Sequence, residues 1–272
     1  MLTVVAGSLG AGKTRWIWEQ MASSDSPQPV SQPVVYINPL TVGVDAYLLQ
    51  LDMPQLQIET DLFQAIEKFQ GQTIYLELSS LLSLEVPLLD KISHYRVAVV
   101  SPNCPSRSEW EAWADKIVVG QDVQGPDMSS ALSSAPRLDS TGEKVDIWQA
   151  SLRGQVLDPA SLNTFWQELV QGAYGQMIRA KAVLEIADGQ SLYIDHLPQQ
   201  ETTYRDLPLP KWLDGRPQRF SGIEMVGIGL DKSAIAATLQ DCCLTDATLK
   251  AHQAALKQSQ AHLSQNYAQE AA

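Results

Sequence analysis

Eight consecutive residues, Gly7-Ser8-Leu9-Gly10-Ala11-Gly12-Lys13-Thr14, satisfy the pattern G-x-x-x-x-G-K-S/T at every fixed position. These residue types suit capture of a polyphosphate. Gly7, Gly10 and Gly12 let the backbone turn its N–H groups inward, so that successive amides form an anion nest. Phosphates are expected on Gly10, Ala11, Gly12, Lys13 and Thr14, with the Lys13 ammonium as a point charge for the β- and γ-phosphates. The Thr14 hydroxyl suits Mg²⁺.

Two acids further along complete the candidate chemistry. Glu77 ends an apolar run, Ile74-Tyr75-Leu76. There it can serve the Mg²⁺ side through water, so Thr14 and Glu77 form the candidate metal pair. The alternative is an acid merely exposed at a strand end. Asp45 can orient a water or bind Mg²⁺, or it can be the N-cap of the segment Ala46–Leu51. Catalysis on this reading is electrostatic placement of the γ-phosphate by Lys13 and Mg²⁺, with water oriented by Glu77 or Asp45. Asn38, before Pro39, reads as a turn residue rather than a ligand. Trp16 and Trp18 read as packing residues. The four histidines, His94, His196, His252 and His262, are scattered and read as surface or packing residues.

The elements that must position these groups alternate. Leu2–Ala6 is short, apolar and β-branched, as a buried parallel strand should be. Arg15 to about Ser23 reads as a helix whose positive end faces the loop. Further strands are expected at 34–37, 72–78, 96–100 and 117–119, with helices at 61–69 and 109–114. Strand–helix alternation implies a parallel sheet with right-handed crossovers. Residues 124–139 are small, polar and broken by Pro and Gly, as in a linker or disordered loop. Beyond a helix at 158–170 the strands lie close together, at 179–187, 191–197, 202–206 and 220–230, which suggests an antiparallel sheet. A helix from Asp231 to Cys243 and a helical tail from Thr245 complete the chain. The fold class is α/β, a P-loop NTPase parallel sheet with a smaller α+β C-terminal domain. The expected parts are 1–124 (nucleotide binding), 125–145 (linker), 146–245 (α+β domain) and 246–272 (helical tail).

Composition narrows the partners. Thirty-one acids against 19 bases give a formal net charge of −12. A nucleic-acid footprint needs clustered Lys and Arg, so no nucleic-acid partner is expected. Nor is docking on anionic lipid. The N-terminal apolar run ends at Ala6, too short for a signal peptide or a membrane span. Cys104, Cys242 and Cys243 make no disulfide framework, and free thiols suit a reducing cytosol. A cytoplasmic location is expected.

The order of motifs resembles that of the CobW-type P-loop GTPases, a family tied to cobalamin synthesis and metal delivery. Gly7–Thr14 is close to that family's G-x-L-G-A-G-K-T. Ile37–Asp45 tracks its V-N-E-F-G-E-V-G-I-D, and Tyr75–Ser80 stands where it has I-E-T-S-G. Ala114–Val119 looks like the A-D-x-I-V-L that leads into the guanine-reading N-K-x-D. Ile178–Lys181 resembles its L-R-A-K-G strand, and 228–232 and 243–246 resemble the close of the CobW C-terminal domain. The resemblance implies GTP (or ATP) and Mg²⁺ as ligands, and a metalloprotein or cofactor-assembly client as partner.

The departures are equally specific. Residues 46–61 hold no cysteine or histidine, so the family's C-x-C-C metal motif is missing there. Pro39 stands where the family has an acid, and Ser80 where it has a glycine. The N-K-x-D position reads Gly120-Gln121-Asp122, so Asp122 alone is left to read the base, one residue early. Little discrimination between GTP and ATP is therefore expected. Two functions remain: a weak Mg²⁺-dependent NTP hydrolase, or a pseudo-GTPase that binds nucleotide without turnover. A kinase of a small substrate shares the loop but fits the later motifs less well.

Overall fold

The computed structural model describes residues 1–22, 33–39, 41–78, 94–104, 106–120, 144–198 and 200–270. They form two compact units, Met1–Val145 and Asp146–Ala272.

The first unit is a six-stranded sheet in the order β3-β2-β4-β1-β5-β6. Its strands are β1 (Leu2–Gly7), β2 (Val35–Ile37), β3 (Gln57–Glu59), β4 (Ile74–Glu77), β5 (Tyr95–Val100) and β6 (Lys116–Val119). Every pairing is parallel. Alternate residues of β1 feed two separate cores, because a parallel sheet carries helices on both faces. Val5 packs with Trp16, Ile17, Tyr36, Leu49, Val97 and Val99. Val4 and Ala6 pack with Ala65, Phe69, Ala98 and Trp110. Helices α1 (Lys13–Ala22) and α2 (Val44–Asp52) thus cover one face. Helices α3 (Leu62–Lys68) and α4 (Arg107–Trp113) cover the other. Asp61 caps α3 by accepting from the backbone N–H groups of Phe63 and Gln64.

The second unit is a five-stranded sheet in the order β10-β9-β8-β11-β7. Its strands are β7 (Val145–Ser151), β8 (Gln176–Glu185), β9 (Ser191–His196), β10 (Thr203–Asp206) and β11 (Gly222–Ile228). The β10/β9, β9/β8 and β8/β11 pairs are antiparallel. Helices α5 (Pro159–Val170) and α6 (Lys232–Asp241) close one core with Leu162, Phe165, Trp166, Leu169, Ile235 and Leu239. Helix α7 (Asp246–Glu270) follows, tied by Gln253, whose side-chain amide exchanges two hydrogen bonds with the Gly215 backbone. Glu185 is buried and held by a two-pronged contact from Arg219 and by the Ser191 hydroxyl.

Strands β3 and β7 were not expected from the sequence. Gln57-Ile58-Glu59 is three residues at a sheet edge with one apolar side chain, too short to show a period of two. Strand β7 is also an edge strand, with mixed exposure along its length. The linker expected at 125–145 lies outside the described residues as far as 143, and Val145 already belongs to β7.

Helix α5 has the start its sequence announces. The Asp158 side chain accepts from the Ser161 backbone N–H, and Pro159 takes the first turn. The Ser161 backbone N–H, then its hydroxyl, hold the Asp158 carboxyl below its usual range. A depressed carboxyl stabilises the fold above its unfolded pKa and loses that contribution as pH falls through the folded value. Asp158→Ala should lower stability by about 1 kcal/mol at neutral pH. In denaturant melts of variant and wild type, the difference should narrow below pH 4 or so.

Candidate functional site

The glycine-rich loop runs from the carboxyl end of β1 into the first turn of α1, on the central strands of the parallel sheet. In an open α/β sheet this is where ligands bind. Gly7, Gly10 and Gly12 all take positive φ, at 135°, 77° and 95°. The loop is braced from outside its own sequence. The Ser8 N–H donates to the Val99 carbonyl at 3.1 Å. The Ser8 hydroxyl donates to the Cys104 thiol at 3.6 Å. Within the loop, the Ala11 N–H donates to the Ser8 carbonyl and the Trp16 N–H to the Gly12 carbonyl.

Two close approaches explain glycines at this site. A Cβ on Gly7 would overlap the Val99 carbonyl oxygen and lie 2.7 Å from its carbon. A Cβ on Gly120 would overlap the Ala11 carbonyl oxygen and lie 3.0 Å from its carbon. Gly120 is held there by its N–H bond to the Val100 carbonyl at 2.8 Å. The Ala11 carbonyl thus occupies the room that a side chain at 120 would need.

Lys13 opens α1 and is buried. Its ammonium donates to the Gly7 and Ser8 carbonyls at 3.4 and 3.2 Å, which holds the cation over the loop. Thr14 donates to both Glu77 oxygens, at 3.1 Å to Oε1 and 2.9 Å to Oε2. The register of β1 beside β4 makes this meeting possible, since Val5 pairs with Glu77. Glu77 is 5% exposed, so it is a buried acid and not one merely displayed at a strand end.

Sequence reasoning missed Tyr36. Its ring is fully buried, and its hydroxyl donates to Glu77 Oε2 at 2.8 Å. The Asn38 amide donates in turn to the Tyr36 oxygen at 3.1 Å. Burial, then the charges of Glu77 and Asp45, hold the Tyr36 phenol well above its ordinary value. It therefore stays a donor at neutral pH. Asn38, directly before the turn at Pro39, is buried at 8% exposure, and its Oδ1 accepts no hydrogen bond among the described residues. The only sequence signal was a tyrosine in an otherwise aliphatic strand, Val34–Ile37.

The remaining expectations divide. Asp45 lies in the first turn of α2, where its charge suits the helix dipole, but the N-cap is Gly43. Its charge reaches Tyr36. Trp16 is buried, whereas Trp18 is 38% exposed and is no core residue. Asp122, Ser79 and Ser80 lie outside the described residues. No group of three His, Cys, Asp or Glu residues suited to a metal ion occurs among the described residues. Burial pushes the Cys242 thiol up to about 11 and raises Cys243, so neither is a ready thiolate. No helix among the described residues is long and apolar enough to cross a membrane.

A parallel sheet with helices on both faces and a glycine-rich loop after its first strand defines a P-loop NTPase-type domain, here followed by a separate α+β unit. Residues 151–243 of that second unit match the family model described as the cobalamin synthesis protein cobW C-terminal domain. The CobW resemblance read from the motif order thus holds for this stretch. Two solved structures are similar along most of the chain. One is a zinc-bound triple mutant of the YjiA GTPase, the other the zinc-bound YjiA GTPase from E. coli. Each is 13% identical, with 89% of this chain and 98% of that one covered, at TM-scores of 0.32 and 0.31. No curated protein matches.

Proposed function

We propose that the chain is a CobW-like nucleotide-binding protein that takes a nucleoside triphosphate with Mg²⁺ on Gly7–Thr14 and hydrolyses it slowly. One observation carries this reading: the loop sits between β1 and α1 with the Lys13 ammonium held over it and Thr14 joined to Glu77. The donor set is a hydroxyl and a carboxylate, hard oxygens that fit Mg²⁺. When bound, the ion would supply positive charge beside the β- and γ-phosphates. The chain's own groups do the rest. Loop amides and Lys13 hold the phosphates, Thr14 and Glu77 fix the metal side, and Glu77 or Asp45 orients a water.

A binding protein without turnover is the second reading. Pro39 favours it, since it stands where the resembled family carries an acid near the γ-phosphate. Titration with GTP and ATP, with and without Mg²⁺, followed by phosphate release, separates the two. Release well above that of Lys13→Ala supports the hydrolase. Tight binding with release equal to that variant supports the binding module.

Base selection should be weak. Gly120 replaces the asparagine of the guanine-reading motif, and the Ala11 carbonyl takes the room an asparagine would use. In competition, ATP should displace labelled GTP within about tenfold of unlabelled GTP, a difference of roughly 1.4 kcal/mol or less. Stronger GTP preference would assign base reading to Asp122. Coupling of nucleotide state through the cobW C-terminal-type unit to a metalloprotein or cofactor-assembly client completes the proposal, as does a cytoplasmic location.

A further inference from the structure

The geometry points to Tyr36 as the residue that makes the Glu77 site select Mg²⁺ over Ca²⁺. This inference rests on the nucleotide–Mg²⁺ reading above and adds a specificity residue to it.

Glu77 Oε2 accepts two donors, the Tyr36 hydroxyl at 2.8 Å and the Thr14 hydroxyl at 2.9 Å. Two donors fill the two lone pairs of a carboxylate oxygen. Tyr36 cannot swing away easily. Its ring lies fully buried in the core under α1 and α2, and its oxygen is clamped from behind by the Asn38 amide at 3.1 Å. Once the Thr14 hydroxyl turns to the ion, the Tyr36 hydroxyl still holds one of the two lone pairs of Oε2, so a cation chelated by both Glu77 oxygens must share Oε2 with a fixed, buried phenol.

The two cations differ in how much that matters. Ca²⁺ gathers six to eight oxygens and commonly takes both oxygens of one carboxylate. Mg²⁺ holds a small octahedral shell, dehydrates reluctantly and is served by one carboxylate oxygen or by a bridging water. A carboxylate capped by a phenol therefore suits the hydrated ion and handicaps the larger one.

The test measures half-saturating Mg²⁺ and Ca²⁺ for binding of labelled nucleotide to wild type, Tyr36→Phe and Asn38→Ala, with melting curves of all three. Wild type should need at least about tenfold more Ca²⁺ than Mg²⁺. Tyr36→Phe should shift the ratio toward Ca²⁺ by about tenfold, the size expected for one hydrogen bond to a carboxylate. Asn38→Ala, which unclamps the phenol, should shift it the same way by a smaller factor. It also serves as the second variant if Tyr36→Phe melts below the assay temperature. A wild type equally served by both cations, or folded variants with an unchanged ratio, overturns the role of Tyr36. Absence of nucleotide binding in the wild type overturns the underlying phosphate-site reading instead.

Discussion

Lys13→Ala is expected to weaken nucleotide binding by roughly 10- to 150-fold, the equivalent of about 1.5–3 kcal/mol for a charge-assisted contact to phosphate. Lys13 is buried and its ammonium is held by the loop's own carbonyls at 3.2 and 3.4 Å. It thus stands over the loop and needs no long reorganisation to meet an anion there. Those two carbonyls can take water instead when the ammonium is gone, so the thermal melt should move little. Calorimetric titration with GTP and ATP, paired with a melting curve, is the measurement. A variant that binds within twofold of wild type while melting normally would remove the phosphate site from this loop.

Gly7→Ala should have the larger effect on folding. At φ 135° an alanine meets backbone strain of about 1–3 kcal/mol. Its Cβ would also overlap the Val99 carbonyl, which already accepts from the Ser8 N–H. The obstacle is backbone of the central strand β5, so neither side can give cheaply. We expect a loss of about 3 kcal/mol or more and no measurable nucleotide binding. Gly120→Ala tests the other wall. Its Cβ would push on the Ala11 carbonyl, so the loop shifts while the sheet stays paired. That variant should lose affinity out of proportion to its loss of stability. Equal affinity in Gly120→Ala would show that Ala11 moves freely.

The loop was legible because its chemistry is local: three glycines, a lysine and a threonine at fixed spacing admit few other uses. Glu77 was legible through position, since topology puts strand ends at the site. Tyr36 was not. A tyrosine inside Val34–Ile37 reads as core by type, and only the β2–β4 register, which pairs Tyr36 with Tyr75 and Ile37 with Leu76, brings its hydroxyl near Glu77. Gly120 reads as a lost asparagine in the sequence. The structure adds that the loop's own carbonyl fills the space. Asp45 was placed on a helix start as expected, yet the cap fell to Gly43 two residues earlier, where positive φ excludes most side chains. The edge strands β3 and β7 escaped because edges carry weak patterning.

The loop's braces are remote in the chain. Ser8 donates to Val99 and Thr14 to Glu77, and the Ala11 carbonyl lies in the room a side chain at 120 would need. During synthesis at about 5–20 residues per second, roughly 5–20 s separate the making of Ser8 from that of Val99. Through that interval the turn has only its local bonds, the Ala11 N–H to Ser8 and the Trp16 N–H to Gly12. On the proposed function, a nascent chain should hold nucleotide only weakly until the fifth strand has docked, and ligand should rescue late folding steps rather than early ones.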